Sequence, residues 1–281
     1  MTWTVLALVL GAAALHAGWN TAVKAAGSPF VATARICIGG IALAAPVLPF
    51  LPLPAPAAWP FLAASVLVHL VYFVLTAAAY ARVDLSVAYP IMRGGGIMVT
   101  ALAAPFLFSD HLPPFGLAGI VLVGLALAAL ALGTGGRGFG RGGLAVVTAN
   151  ALTIGAYSLL DGLGARASGA PFAYTLWVFS LGAACNLGLM VLRGRIGALR
   201  ALLNARDFGL AVLGGASAMG SYGLVLTAMT LAPVALVAAL RETSMLFATG
   251  LALFLLHEKV GARRVAAACL VAAGAVLIKL A

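Results

Sequence analysis

Acidic side chains are scarce here: Asp and Glu number 6 among 281 residues, and all charged types together reach only 8%. A soluble domain carries about 25% charged residues, so this chain has too little polar surface to clothe a globule in water. With 64% hydrophobic residues and a mean hydropathy of +1.16, it reads as a polytopic membrane protein. The same scarcity argues against an intramembrane hydrolase. There is no acidic pair at helical spacing, no HExxH and no GxSG, so no catalytic residue is assigned. Cysteine is equally sparse. Cys37, Cys185 and Cys269 lie in apolar runs without CxxC or Cys/His spacing, and read as small buried hydrophobes, not disulfides or metal ligands.

Positive charge is what the chain does have. A net charge of +10 points toward nucleic acid in a soluble protein, but in a membrane protein it reflects cytoplasmic loops rich in Lys and Arg. No nucleic-acid partner is therefore expected. A bilayer core about 30 Å thick needs about 20 apolar residues per helix. Breaking the chain at its charges, prolines and glycine clusters predicts ten such spans: 3–23, 31–51, 58–80, 85–107, 114–133, 143–164, 171–192, 208–230, 233–256 and 261–280. The first lacks a positive leader and a cleavage site, and reads as a spanning helix rather than a signal peptide. The linker GTGGRGFGRGG holds a formal GxGxxG from Gly138. It follows a membrane helix instead of a strand, so no dinucleotide cofactor is expected.

A shift of 148 residues lays DLSVAYPIMRGGGIMVTALAAPFLFSDH (84–111) on APVALVAALRETSMLFATGLALFLLHEK (232–259) without a gap. Arg93 then meets Arg241, and Asp110 meets Glu258. The expected fold is an all-α polytopic membrane protein of ten transmembrane helices, built as two inverted five-helix repeats. The first repeat covers 1–133, a Gly/Arg linker 134–142, and the second repeat 143–281. Five helices per half force the second half to enter from the opposite face, a recurrent plan of secondary transporters with a midplane site. Loops and helix ends on one side hold twelve basic residues, among them Lys24, Arg35, Arg82, Arg137, Arg141, Arg206 and Lys259; the other side holds Arg166 and Lys279. That bias places the basic loops in the cytoplasm and both termini outside.

The segment YPIMRGGG (89–96) sets an arginine inside an apolar run, and AALRETSM (238–245) repeats the feature. At 1.5 Å per residue, Arg93 lies about 12 Å into its helix and Arg241 lies at a similar depth from the other face. An arginine at such a depth costs about 2.5–3.5 kcal/mol on insertion scales, so each needs a partner or a watery cavity. The expected role is bidentate binding of an anionic group, such as a carboxylate, phosphate or phosphonate. Glu242 is the alternative partner. Adjacent helical residues diverge by about 100°, so Glu242 suits Arg93 across the interface better than its neighbour Arg241. The three glycines admit a helix or ligand close to the backbone and, with Pro90, weaken the helix. Further candidates for the cavity are His16, Trp19 and Asn20 on helix 1, His69 and Tyr72 (with Thr76) on one face of helix 3, Tyr157 on helix 6, and Tyr222 on helix 8. His69 is also a candidate proton relay. Asp161 reads as a partner of Arg166 near the outer end of helix 6, and Glu258 and Lys259 as solvated loop residues.

HAGWN near the start, VDLSVAYPIMR, and LAPVALVAALRETSMLF followed by HEK and a final helix resemble the EamA family of the drug/metabolite transporter superfamily, over essentially the whole chain. The resemblance implies a secondary carrier in the bacterial inner membrane, often an exporter of metabolites. It also implies a central cavity between halves and a small-molecule substrate, such as an amino acid, organic acid or phosphonate-like solute. Relatives of this kind often keep both termini in the cytoplasm, opposite to the loop-charge expectation. A lipid-linked flippase or a non-transporting partner subunit is the competing reading.

Overall fold

Backbone amides find no water in a bilayer core, so a long apolar segment there must satisfy them internally as a helix. The computed structural model of the chain describes residues 1–25, 29–132, 142–255 and 261–281. It contains α1 (Trp3–Ala25), α2 (Pro29–Val47), α3 (Trp59–Tyr80), α4 (Leu85–Phe108), α5 (Pro114–Leu132), α6 (Gly143–Ser168), α7 (Pro171–Leu192), α8 (Ile196–Ala201), α9 (Ala205–Leu231), α10 (Val234–Leu240), α11 (Ser244–Gly250) and α12 (Ala262–Leu280). Among the described residues there are no strands, and nine segments are long and apolar enough to cross a membrane. The segment α12 carries Arg263, Arg264 and Lys279 at its ends and does not add a tenth on that criterion. The Gly/Arg linker at 134–141 with Arg137 and Arg141, and Glu258 and Lys259, lie outside the described residues.

The outer surface is that of a multi-pass membrane protein. Phe106 is 89% exposed and Leu192 86%, and Phe50 and Phe254 stand nearly as far out. In water such apolar exposure would be a large liability; against acyl chains it is neutral. The interior inverts the pattern and is rich in alanine and small side chains, from Ala12 and Ala13 of α1 to Ala235 and Ala239 of α10. Cys37 is buried, but Cys185 and Cys269 are exposed, correcting the expectation that all three are buried. A thiol is apolar enough to face lipid as readily as core.

Two departures from the expected spans have local causes. The second helix ends at Val47 because Pro46, Pro49, Pro52 and Pro54 remove amide donors one after another. The expected continuous helix 233–256 is instead α10, a 3-10 turn over Arg241–Thr243, α11, and a π turn over Leu251–Leu255. The Thr243 hydroxyl donates back to the Leu240 carbonyl at 2.7 Å, a bond that competes with regular helical pairing. The backbone stays right-handed through the turn, so the axis continues while the winding tightens around Arg241 and Glu242.

Helices close against one another through glycine. Gly39 of α2 and Gly215 of α9 meet backbone to backbone, and a Cβ on Gly119 of α5 would stand 2.7 Å from the Gly274 carbonyl of α12. Gly94 faces Leu127 of α5, whereas Gly95 and Gly96 face Ala151 and Ile154 of α6. The triple glycine of YPIMRGGG therefore packs helices, and α4 runs unbroken through it despite Pro90 and Pro105. Gly119→Leu should lower the melting temperature in detergent, consistent with overpacking costs of about 1–3 kcal/mol or more where backbone is struck. Gly188→Leu, at an exposed position with nothing within 4 Å, should melt with the parent.

Candidate functional site

Arg93 projects from α4, and the 3-10 turn presents Glu242 toward it from the other half of the chain. Both are buried, at 7% and 3% exposure. The Arg93 Nε donates to Glu242 Oε2 at 3.3 Å, and its Nη2 is bonded to Oε1 in a two-point ion pair. Such a fork matches guanidinium to carboxylate geometry. Glu242 thus neutralises Arg93 and not its chain neighbour, as the angular separation of adjacent helical residues requires.

Arg241 is left differently placed. No ion pair holds it among the described residues, and its Nε is buried without a hydrogen-bond partner. Its guanidinium carbon lies 6.0 Å from the centroid of the Tyr222 ring on α9, a cation–π contact worth about 0.5–2 kcal/mol. That is far less than a carboxylate supplies. His16 of α1 stands within electrostatic reach of Arg241 and Arg93. A cavity between α4, α6, α9 and the turn is lined by Arg93, Arg241 and Glu242 together with Gly96, Thr100 and Ser158. Thr100 and Ser158 both donate to carbonyls of their own helices, at 2.9 and 2.7 Å. The cavity measures ≈ 10 Å³, about one water molecule. The site is narrow.

A second polar cluster sits beside it. Asp161 of α6 is fully buried at 0% exposure. Tyr222 donates its hydroxyl to Oδ2, Tyr174 of α7 donates to Oδ1 at 3.3 Å, and Ser65 of α3 stands beside the carboxylate. His69 stacks on Tyr157 at 4.3 Å between centroids and meets Tyr222 edge-on at 5.9 Å, with Tyr72 packed against Tyr157 at 5.6 Å. The His69 Nδ1 lies 2.9 Å from the Ser65 carbonyl. Tyr222 therefore touches both the unpaired cation and the buried carboxylate. His69 and Tyr72 share one side of α3, as their spacing predicts, and Tyr157 of α6 and Tyr222 of α9 meet them there. Trp19 meets His16 edge-on, and Asn20 bonds back to the His16 carbonyl at 2.8 Å, so both are engaged within α1. Thr76 accepts from Asn150.

The pairing expected between Asp161 and Arg166 does not form. Residues five apart on a helix point about 140° from one another. Arg166 instead forks to Asp110 at 2.9 and 3.0 Å, and also donates to the carbonyls of Met229 and Ala232. Asp110 in turn accepts from the Val234 amide. This staple joins the ends of α4, α6 and α9 to the start of α10, on the face that holds Met1 and Lys279. On the opposite face Arg35 of α2 pairs with Asp207, near the start of α9. A separate cavity of ≈ 480 Å³ opens among the chain ends and the 111–113 and 231–233 turns. It lacks the arginines and the carboxylates.

Removing one partner of a buried ion pair costs about 3–5 kcal/mol, because the other charge is stranded, whereas removing both is often neutral. Glu242→Gln should accordingly lower the melting temperature markedly, and Arg93→Met combined with Glu242→Met should restore most of the loss. A Glu242→Gln protein that melts with the parent contradicts the pairing.

Residues 141–280 match the model of the EamA-like transporter family, and residues 55–123 match that of the Small Multidrug Resistance protein. No protein of curated function matches the sequence. One solved crystal structure, of a protein 18% identical in sequence, superimposes with a TM-score of 0.75 over 100% of this chain and 98% of its own. That likeness establishes a shared fold. With its second half carrying the family match, the chain belongs to the EamA-like transporter family and is a multi-pass membrane transporter.

Proposed function

We propose that the chain is a secondary carrier, ten helices arranged as two inverted five-helix repeats (1–133 and 143–281), that moves a small anionic or zwitterionic solute by alternating access. The observation that carries this reading is Arg241: a cation in the middle of a span, beside a narrow cavity that it lines with Arg93 and Glu242, with a buried Nε lacking a partner among the described residues. Arg93 and Glu242 form the fixed wall of that cavity, and His69, Tyr72, Tyr157 and Tyr222 form the neighbouring cluster that meets it through the Tyr222–Arg241 contact. The two family matches, one on each half of the chain, are consistent with a duplicated plan. A cell would hold the protein in the bacterial inner membrane, with the basic loops cytoplasmic and both termini periplasmic. A C-terminal reporter active only in the periplasm agrees with that orientation, and a cytoplasmic signal refutes it.

Alternating access also gives the two facial ion pairs a role. Asp110–Arg166 ties the terminal face and Arg35–Asp207 ties the opposite face, so the narrow central cavity belongs to the state with both tied. Opening one face requires its pair to part. In a cysteine-free background, Ser158→Cys should be labelled several-fold faster by a membrane-impermeant thiol reagent when Asp110→Asn is added. Equal labelling rates contradict a gate at that pair.

Transport itself is tested in liposomes loaded with amino acids, organic acids and phosphonates, by counterflow of each labelled solute. Arg241→Gln should raise the KM for an anionic solute about 10–100-fold, the loss expected for charge-assisted hydrogen bonds of about 1.5–3 kcal/mol. Parent KM and rate in that variant overturn the assignment of Arg241 to substrate. Absence of flux for every small solute, with movement of a labelled lipid-linked one, selects the flippase reading instead.

A further inference from the structure

We infer that Asp161 is a proton-binding site linked to Arg241 through Tyr222, so that the central site takes up one proton together with one monovalent anion. The inference deepens the carrier reading and depends on it for the anion, though not for the proton.

The starting point is a fully buried carboxyl whose oxygens are held only by neutral donors, Tyr222 and Tyr174, with Ser65 alongside. No cation lies within ion-pair distance of it among the described residues. A buried carboxylate persists only where a charge or a dense set of donors compensates it; otherwise it takes a proton. Two phenols and a serine are a partial set of donors, which suits a group that exchanges between the two forms.

The neighbouring charges decide what that exchange does. The elements packed against α6 bring His69 and Tyr72 on α3, Arg93 on α4, Tyr174 on α7 and Tyr222 on α9. The α10 segment contributes no titratable side chain; Arg241 and Glu242 follow it on the 3-10 turn. On α6 itself stand Tyr157 and Arg166. Arg166 belongs to Asp110, and Arg93 and Glu242 cancel each other. His69 lies within electrostatic reach of Asp161; counted in its neutral form, it leaves Arg241 and Asp161 as the remaining formal charges, on either side of the Tyr222 side chain.

With Asp161 ionised, the four groups Arg93, Arg241, Glu242 and Asp161 sum to zero, and an entering anion would add an uncompensated charge to a low-dielectric site. With Asp161 protonated they sum to plus one, and an anion on Arg241 restores neutrality. Proton and anion therefore favour each other's binding, and the linkage is reciprocal. The proton enters from the aqueous face to which the site is open, rests on an Asp161 carboxyl oxygen, and leaves to the opposite face when the anion departs. His69, stacked on Tyr157 and edge-on to Tyr222, stands next to this route.

The test uses the purified protein in lipid, with protons as the only ligand. Infrared difference spectra recorded across pH should contain the C=O stretch of a protonated buried carboxyl, sensitive to deuterium exchange. Asp161→Asn should remove that band, and Asp161→Glu should shift its frequency, which keeps the assignment testable if the asparagine variant fails to fold. Arg241→Gln should move the pH at which the band appears by about one unit, while Arg93→Met with Glu242→Met leaves it in place. A parent protein without the band at any pH, or a band unchanged in Asp161→Asn and Asp161→Glu, overturns the site. A band indifferent to Arg241→Gln overturns the link to the anion. None of these readings depends on flux, so a failed transport screen leaves them standing.

Discussion

Each ion pair among the described residues joins a residue before 133 to one after 142. Arg35–Asp207 lies near one membrane face, Arg93–Glu242 near the middle, and Asp110–Arg166 near the other face. Six acids serve sixteen basic side chains in this sequence, and the pairs at these three depths all bridge the two halves. Glycine and alanine also close helices across the two halves, at Gly39–Gly215, Gly119–Gly274 and Gly96–Ile154. Charge adds a fixed register to that close packing at three depths.

The middle pair is the one the rest depends on. Because Glu242 is committed to Arg93, the neighbouring Arg241 must find its negative partner elsewhere, and among the described residues it meets an aromatic face and, beyond that ring, a carboxyl. The 3-10 turn is what makes this arrangement possible. It presents Arg241 and Glu242 in succession at one depth, one toward α4 and the other toward α9. In the proposed scheme such a site is neutral with Asp161 ionised and cationic with Asp161 protonated, without moving a side chain through lipid.

Much of this was legible in the sequence because the signals are strong and local. Apolar runs bounded by proline, glycine and charge set the helix limits to within a few residues; Pro114 and Pro171 stand at helix starts, and Pro233 one position before α10. Arg93, Arg241 and Glu242 stood out because charge inside a span is costly, and the 100° step between neighbours already favoured the Arg93–Glu242 pair. Spacing of three and four on α3 also brought His69 and Tyr72 to one side. Asp161 was misread because sequence proximity suggested Arg166, when a five-residue offset turns the two side chains apart and a long-range partner, Asp110, fits the fork better. The tightening at Arg241–Thr243 leaves almost no trace in composition, since no proline or glycine marks it. The triple glycine signalled close approach correctly, but only packing could say that its neighbours are α5 and α6.

The central claim is that a solute's negative group completes the hydrogen bonding of Arg241. A structure of the protein in lipid, determined with its transported anion bound, tests this most directly. The account predicts density within hydrogen-bond distance of the Arg241 guanidinium, in an enlarged cavity, with the Arg93–Glu242 pair intact. Arg241 turned to lipid headgroups, or sealed away from the bound anion, would contradict it.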